Sequence, residues 1–74
     1  MQPIRFELDP GHDYVELNQL LKLTGLCDSG GAGKAIVASG AVRVDGQVEL
    51  RKTCKIRVGQ TVAYQGVTIE VVAV

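Results

Sequence analysis

The sequence predicts one α+β domain of 74 residues, with two helices in the first half and several short strands after them. Three observations support this prediction. Apolar residues recur at helical spacing between Leu17 and Thr24, a serine and a glycine bracket a second helical stretch from 29 to 40, and beyond Gly40 the apolar residues alternate. A chain of this length forms a small core, which leaves little room for a deep substrate pocket.

The first and last strands are expected to share a sheet. Residues 3–8, "PIRFEL", alternate apolar and charged side chains, which is typical of a half-buried strand. We expect this strand to pair with the C-terminal strands, because the apolar faces of both must be covered. The later strands are predicted near 42–44, 48–50, 54–58, 61–65 and 67–73.

The first helix is predicted near residues 14–24. Asp13 and Glu16 have the spacing of a capping box, and Gly25 is placed to end the helix in a left-handed conformation. The apolar stripe of this helix consists of Leu17, Leu20, Leu21 and Thr24. This pattern indicates an amphipathic helix that packs one face on a core.

The second helix is predicted near residues 30–39. Ser29 is a favoured N-cap and Gly40 a favoured stop. Glycines within the first turn and a half each cost roughly 1 kcal/mol relative to alanine inside a helix, and less in the opening turn. Such a helix must be held by packing, and its small residues would let another backbone or a phosphate come close.

A hairpin is predicted where an Asp-Gly pair at 45–46 follows the strand at 42–44. A strict two-residue loop would pair Val44 with Gln47 and place a polar residue on the apolar face. We therefore predict one extra residue in the turn, which would pair Val44 with Val48 instead.

The two cysteines are predicted to be free thiols, with a disulfide between them as the alternative. Cys27 and Cys54 lack the spacing of a zinc site, and free cysteine is usually a small buried residue. Alternation places Cys54 in the inward phase with Ile56 and Val58.

Motifs for catalysis are absent from the sequence. A phosphate loop has a glycine, four further residues and then Gly-Lys-Ser/Thr. Here Gly33-Lys34 is followed by Ala35, and Asp28 occupies the position of the first glycine. His12 stands alone, and a solvated turn histidine is the favoured interpretation over a general base. We expect no enzymatic activity, no cofactor and no bound metal.

Charge is distributed unevenly, although the formal net charge is zero. Residues 22–57 hold seven of the eight basic residues but only three of the eight acidic ones. Each cation alone is typical of a solvated surface, but several around one helix and hairpin indicate phosphate binding. The cations in question are Lys34, Arg43, Arg51, Lys52 and Lys55.

These features together resemble an S4 domain, a small RNA-binding fold. The likeness spans roughly residues 14–65 and is carried by the Leu-rich helix, "AIVASG", "GAVRVDG" and "RVGQTV". It extends to small stand-alone bacterial members of the YbcJ type, which have stretches like "DSG" and "RKTCKI". The resemblance implies a single S4-like domain over 1–74 with the αL motif, in which two helices pack on a small, strongly twisted antiparallel sheet.

The resemblance also implies binding of structured RNA by the second helix and the hairpin. The contacts carried over by position are Ser29, Gly30, Lys34, Arg43, Asp45, Gly46, Arg51, Lys52 and Lys55. Many S4 domains have arginine directly after the helix-starting serine, whereas this chain has glycine there. We therefore expect weaker binding, or binding shifted toward the hairpin and the Arg-Lys pair.

The expected ligand is duplex or junction RNA, for example ribosomal RNA. The three aromatic residues, Phe6, Tyr14 and Tyr64, lie outside the basic stretch, which disfavours base stacking. We expect a cytoplasmic, ribosome-associated monomer that contacts no membrane and works beside ribosomal or RNA-processing proteins. The alternative is a protein-interaction module, such as a ribosome-assembly or complex subunit, which an exposed apolar patch would favour.

Overall fold

A computed structural model describes residues 3–74, so the predicted domain of 1–74 includes two residues outside this range. Within the described range the chain forms two helices and seven strands. In chain order they are β1 (Ile4–Leu8), β2 (Val15–Glu16), α1 (Leu17–Leu23), α2 (Gly30–Ala38), β3 (Val42–Val44), β4 (Gln47–Val48), β5 (Lys55–Ile56), β6 (Thr61–Tyr64) and β7 (Val67–Ala73). The α+β prediction is confirmed.

The main sheet has five strands in the order β1-β7-β6-β3-β4, and β2 pairs with β5 in a separate two-stranded sheet. The predicted pairing of the first strand with the C-terminal strands is confirmed, because β1 lies beside β7. That pair is parallel, however, so the main sheet is mixed and the expectation of a wholly antiparallel sheet is wrong. Parallel strands cannot be joined by a tight hairpin and need a long connection. The segment between β1 and β7 contains both helices, so β7 can run in the same direction as β1.

The start of α1 differs from the prediction. Residues Val15–Glu16 are extended and pair with β5, so the helix begins at Leu17. Glu16 takes the N-cap position, with φ −71° and ψ 140°, and its side chain makes no capping hydrogen bond. The predicted capping box of Asp13 and Glu16 is therefore wrong, because strand pairing determines the backbone conformation at Glu16.

The end of α1 follows the prediction. Gly25 has a φ of 81°, a left-handed backbone conformation that would be strained for a residue with a side chain. Its N–H donates to the carbonyl of Lys22 at 3.0 Å, and the N–H of Leu26 donates to the carbonyl of Leu21 at 2.9 Å. These two bonds form a Schellman motif, which returns the chain toward α2.

The second helix also has the predicted limits. Ser29 Oγ accepts a hydrogen bond from the Ala32 N–H at 3.1 Å, and Gly40 ends the helix with a φ of 81°. A Cβ added to Gly33 would stand 2.6 Å from the carbonyl oxygen of Asn18 in α1. At Gly33 the glycine therefore permits the close approach of another backbone.

The β3–β4 hairpin has a strict two-residue loop, so the predicted extra residue is wrong. Val44 pairs with Gln47, and Asp45 and Gly46 have φ angles of 51° and 84°, as a type I′ turn requires. Asp45 Oδ1 accepts a hydrogen bond from the Thr61 N–H at 2.9 Å. This bond ties the turn to β6. The register places Val48 opposite the exposed Arg43, and Val48 is 48% exposed.

The core lies between the two helices and the sheets. It consists of Leu8, Leu17, Leu20, Leu21, Val37, Val42, Ile56, Val62, Ile69 and Val71. Both cysteines are free, as predicted, but they are half-buried and not fully buried. Val58 is 49% exposed instead of inward-facing, because β5 ends at Ile56 and the chain turns through Gly59 with a φ of 93°.

Candidate nucleic-acid interface

The backbone between β4 and β5 is tied to the start of α1. The Leu17 N–H donates to the Cys54 carbonyl at 2.9 Å, and the Asn18 N–H donates to the Lys52 carbonyl at 3.2 Å. These are first-turn amides that have no partner within their own helix. The contact holds the backbone of residues 52–54 on the core, and the side chains of Lys52 and Thr53 are left exposed.

Two open grooves border this segment. The first, of about 380 Å³, lies beside the β3–β4 hairpin, and the second, of about 520 Å³, lies beside β5. Arg51, Cys54 and Lys55 line both grooves. The first is completed by Val44, Asp45, Gln47, Val48, Glu49 and Gln60, and the second by Thr53 and Arg57.

Arg51 is held by a two-pronged ion pair with Glu49. The distance from Arg51 Nε to Glu49 Oε2 is 2.9 Å, and Arg51 Nη2 lies 3.0 Å from Oε1. The Arg51 backbone N–H also donates to Oε2 at 3.0 Å. The Arg51 side chain remains 78% exposed, whereas that of Glu49 is 16% exposed. The guanidinium is thus fixed on one edge and open to solvent on the other.

The same contacts alter the titration of both groups. The hydrogen bonds from the Arg51 side chain and backbone lower the pKa of Glu49 from 4.5 to about 2. The carboxylate in turn raises the pKa of Arg51. Both groups therefore stay charged at neutral pH, and part of the positive charge of Arg51 is offset within the groove.

Cys54 lies between these charges with its thiol protonated. Burial, followed by the negative charge of Glu49, raises the pKa of Cys54, and its Sγ donates to Glu49 Oε1 at 3.6 Å. A thiol in this state is a poor nucleophile and a poor metal ligand. Over residues 3–74 no group of three His, Cys, Asp or Glu side chains is arranged to hold a metal ion.

The Tyr14 ring lies beside two of the cations that line the second groove. Lys55 Nζ lies 5.0 Å from the centroid of the Tyr14 ring, and Arg57 Cζ lies 5.9 Å from it. Strand β2 pairs with β5, which brings an aromatic residue beside cations that are distant in the sequence. Sequence reasoning missed both Tyr14 and Arg57 as site residues, and two-residue strands carry too little periodicity to reveal the pairing.

The hairpin residues predicted to contact RNA have structural partners. Asp45 accepts from Thr61 and from Gln60 Nε2, the latter at 3.2 Å, so its carboxylate is engaged in the turn. Arg43 Nη1 donates to the Gly46 carbonyl at 3.4 Å. Arg43 is exposed on the hairpin, and Asp45 reaches the first groove.

The helical part of the predicted site lies apart from the grooves. Ser29 caps α2, and the carbonyl of Gly30 accepts from Asn18 Nδ2 at 3.4 Å. Lys34 is exposed on the same helix. Among the described residues, neither groove is lined by any of these three. The structure thus gathers Asp45, Arg51 and Lys55 around one groove, leaves Lys52 exposed beside them, and holds the helical residues separately.

Residues 6–72 match the family described as the S4 domain. The chain belongs to the S4 domain family. The S4 resemblance predicted from the sequence is confirmed, and the S4-like fold with it. None of the helices within residues 3–74 of this S4 domain is long and apolar enough to cross a membrane.

Two curated relatives and a solved structure match this S4 domain. It is 53% identical over 62 residues to "Putative RNA-binding protein YbcJ" of Escherichia coli (strain K12), which covers 84% of this chain and 89% of that protein. "Uncharacterized protein YbcJ" of Shigella flexneri matches with the same identity and coverage. The solution structure of E. coli YbcJ, described as revealing an αL motif involved in RNA-binding, matches with a TM-score of 0.74 and 48% identity, over 99% of this chain and 91% of that one.

Proposed function

We propose that this protein is a non-catalytic RNA-binding protein that holds structured RNA by its phosphates. The binding surface, here called the basic segment, comprises Arg51, Lys52, Lys55 and Arg57. Arg43 with the backbone of Asp45 and Gly46 supplies further contacts on the hairpin. Lys34 with the backbone of Ser29 and Gly30 supplies a separate contact on α2. The ligand is duplex or junction RNA, such as ribosomal RNA, bound by a cytoplasmic monomer working beside ribosomal or RNA-processing proteins.

The observation that carries this proposal is the convergence of Arg51, Lys55 and Arg57 on one open groove. A groove lined by cations, on a backbone held to the core, suits a polyanion better than a small molecule. Arg51 adds geometry to charge, because Glu49 fixes its inner edge and leaves the outer edge free to pair with a phosphate.

Family membership supports RNA as the polyanion. The relative YbcJ of E. coli is named for RNA binding, and its solved fold is described by the same αL motif. A-form RNA is recognised mainly through its shape, phosphates and 2′-hydroxyls, which a row of exposed cations can contact without reading bases. Membership in an RNA-binding domain family also favours a binding role over catalysis.

The test is a salt titration of binding to a structured RNA hairpin. The variant Arg51→Ala/Lys52→Ala is expected to flatten the slope of log affinity against log salt by roughly 0.7 to 0.9 per lost contact. The matched control is Arg5→Ala/Lys22→Ala, which removes the same charge from exposed positions outside both grooves and is expected to bind like wild type. Because loss of Arg51 leaves the Glu49 carboxylate facing the groove, a third variant adds Glu49→Gln. Equal binding by wild type and both basic-segment variants would contradict the proposal.

A protein-interaction role is the second candidate, and one observation favours it. Two large apolar residues two positions apart are exposed, Val48 at 48% and Leu50 at 60%, and Val48 lines the first groove. Replacing both by serine would leave RNA affinity unchanged under the RNA proposal. The protein-interaction role would be favoured by two results together. Wild type would bind no RNA at physiological salt, and the double serine variant would lose binding to a protein partner.

A further inference from the structure

The outer face of the β2–β5 pair combines an aromatic ring with cations. Val15 pairs with Ile56 and Glu16 with Lys55, which places Tyr14 opposite Arg57. Because side chains alternate along a strand, the buried Ile56 faces the core while Tyr14, Glu16, Lys55 and Arg57 face outward.

The Tyr14 ring has no role in the core. Tyr14 is 36% exposed, and the centroid of its ring lies 5.0 Å from Lys55 Nζ and 5.9 Å from Arg57 Cζ. Cation–π contacts between exposed, flexible side chains are weak. On RNA binding the two cations can therefore pair with phosphates instead, which leaves the face of the Tyr14 ring accessible. The two cations beside the ring, Lys55 and Arg57, also line the groove of about 520 Å³ beside β5.

We infer that Tyr14 is a stacking platform for one unpaired nucleotide of the bound RNA, a bulged or overhanging base. The inference rests on the proposed function and deepens it by assigning the class of RNA. Binding of single-stranded nucleic acid typically combines an aromatic face for the base with cations for the flanking phosphates, and this ribbon offers both. Glu16, opposite Lys55, repels phosphate, so the flanking phosphates lie toward Arg57 and Arg51.

The experiment compares two RNAs and three proteins. One RNA is a fully paired short duplex, and the other is the same duplex with a single bulged 2-aminopurine, whose fluorescence responds to stacking. Wild type is expected to bind the bulged RNA more tightly and to change its fluorescence. Tyr14→Leu is expected to lose about fivefold or more in affinity for the bulged RNA and the fluorescence change, with its affinity for the paired duplex retained. Tyr14→Phe, which keeps the ring, is expected to behave like wild type.

Three results would overturn the inference while leaving the proposed function intact. Wild type could bind both RNAs equally, Tyr14→Leu could retain full affinity for the bulged RNA, or Tyr14→Leu could weaken binding to both RNAs alike. The last result would mean that the ring only positions Lys55 and Arg57. Failure of wild type to bind either RNA would instead overturn the proposed function, and this inference would fall with it.

Discussion

Two regions of the molecule pack on α1 and carry predicted RNA contacts, but they are built differently. The start of α2 packs on α1 through glycine, with Gly33 so close to Asn18 that even a Cβ would collide. The basic segment is tied to α1 through main-chain carbonyls of Lys52 and Cys54, which leaves several of its long side chains free. A close helix–helix approach restricts side-chain size, whereas main-chain anchoring does not, so the basic segment can present more charge.

The substitution with the largest expected effect disrupts the contact between α1 and α2. Gly33→Ala places a Cβ 2.6 Å from a backbone oxygen, and is expected to lower the free energy of unfolding by about 2 kcal/mol, since overpacking outweighs the better helix propensity of alanine. The measurement is urea unfolding followed by circular dichroism. Gly31→Ala is the control, because its Cβ would meet only Ser29 Oγ at 3.9 Å, and it should be at least as stable as wild type. A Gly33→Ala protein as stable as wild type would disprove the tight contact.

A second prediction compares the charges of the two regions directly. Lys55→Ala is expected to weaken binding to structured RNA several-fold and to flatten the salt slope by roughly 0.7 to 0.9, as for one lost phosphate contact. Lys34→Ala removes the same charge from α2, away from the grooves, and is expected to do less. Parallel salt titrations measure both. Equal losses would show that the two regions contribute equally to binding.

A third prediction adds charge to the helical region. Gly30→Arg restores the residue that many S4 domains have after the helix-starting serine, and is expected to steepen the salt slope by up to roughly 0.7 to 0.9. Within 3 Å the new Cβ would meet only Gln19 Nε2, at 2.8 Å. This atom is the end of a flexible side chain that can move away, so the variant is expected to fold. Gly30→Gln is the uncharged control. If Gly30→Arg binds RNA no more tightly than Gly30→Gln, the start of α2 does not face the phosphates.

The smallest expected effect concerns the ion pair of the basic segment. The pKa of Glu49 is about 2 in the folded protein and near 4.5 without its partners, so the pair stabilises the fold above pH 4.5 and loses this contribution as the pH falls toward 2. Because Arg51 is 78% exposed and solvent screens the pair, the stabilisation is expected to be small. Urea unfolding of wild type and Glu49→Gln at pH 7, 4 and 2.5 measures it. A stability difference that did not shrink with falling pH would contradict the assignment.

Features that depend on neighbouring residues could be predicted from the amino-acid sequence alone. Gly25, Ser29 and Gly40 end or begin helices through bonds within a few positions, so their chemistry is visible in the sequence. The strands predicted near 61–65 and 67–73 are likewise present, as β6 and β7. The S4 resemblance rested on the same local patterns, and it was confirmed.

Features that depend on residues distant in the sequence are visible only in the folded chain. The start of α1 follows from the pairing of β2 with β5, and the turn of the β3–β4 hairpin is bonded to Thr61, 16 positions beyond Asp45. The position of Tyr14 beside Lys55 has the same origin, since only folding brings residues 41 positions apart into contact. Long-range contacts also determine which of the predicted RNA contacts line the same groove. The sequence could not show this, because long-range hydrogen bonds produce no periodic pattern of residues.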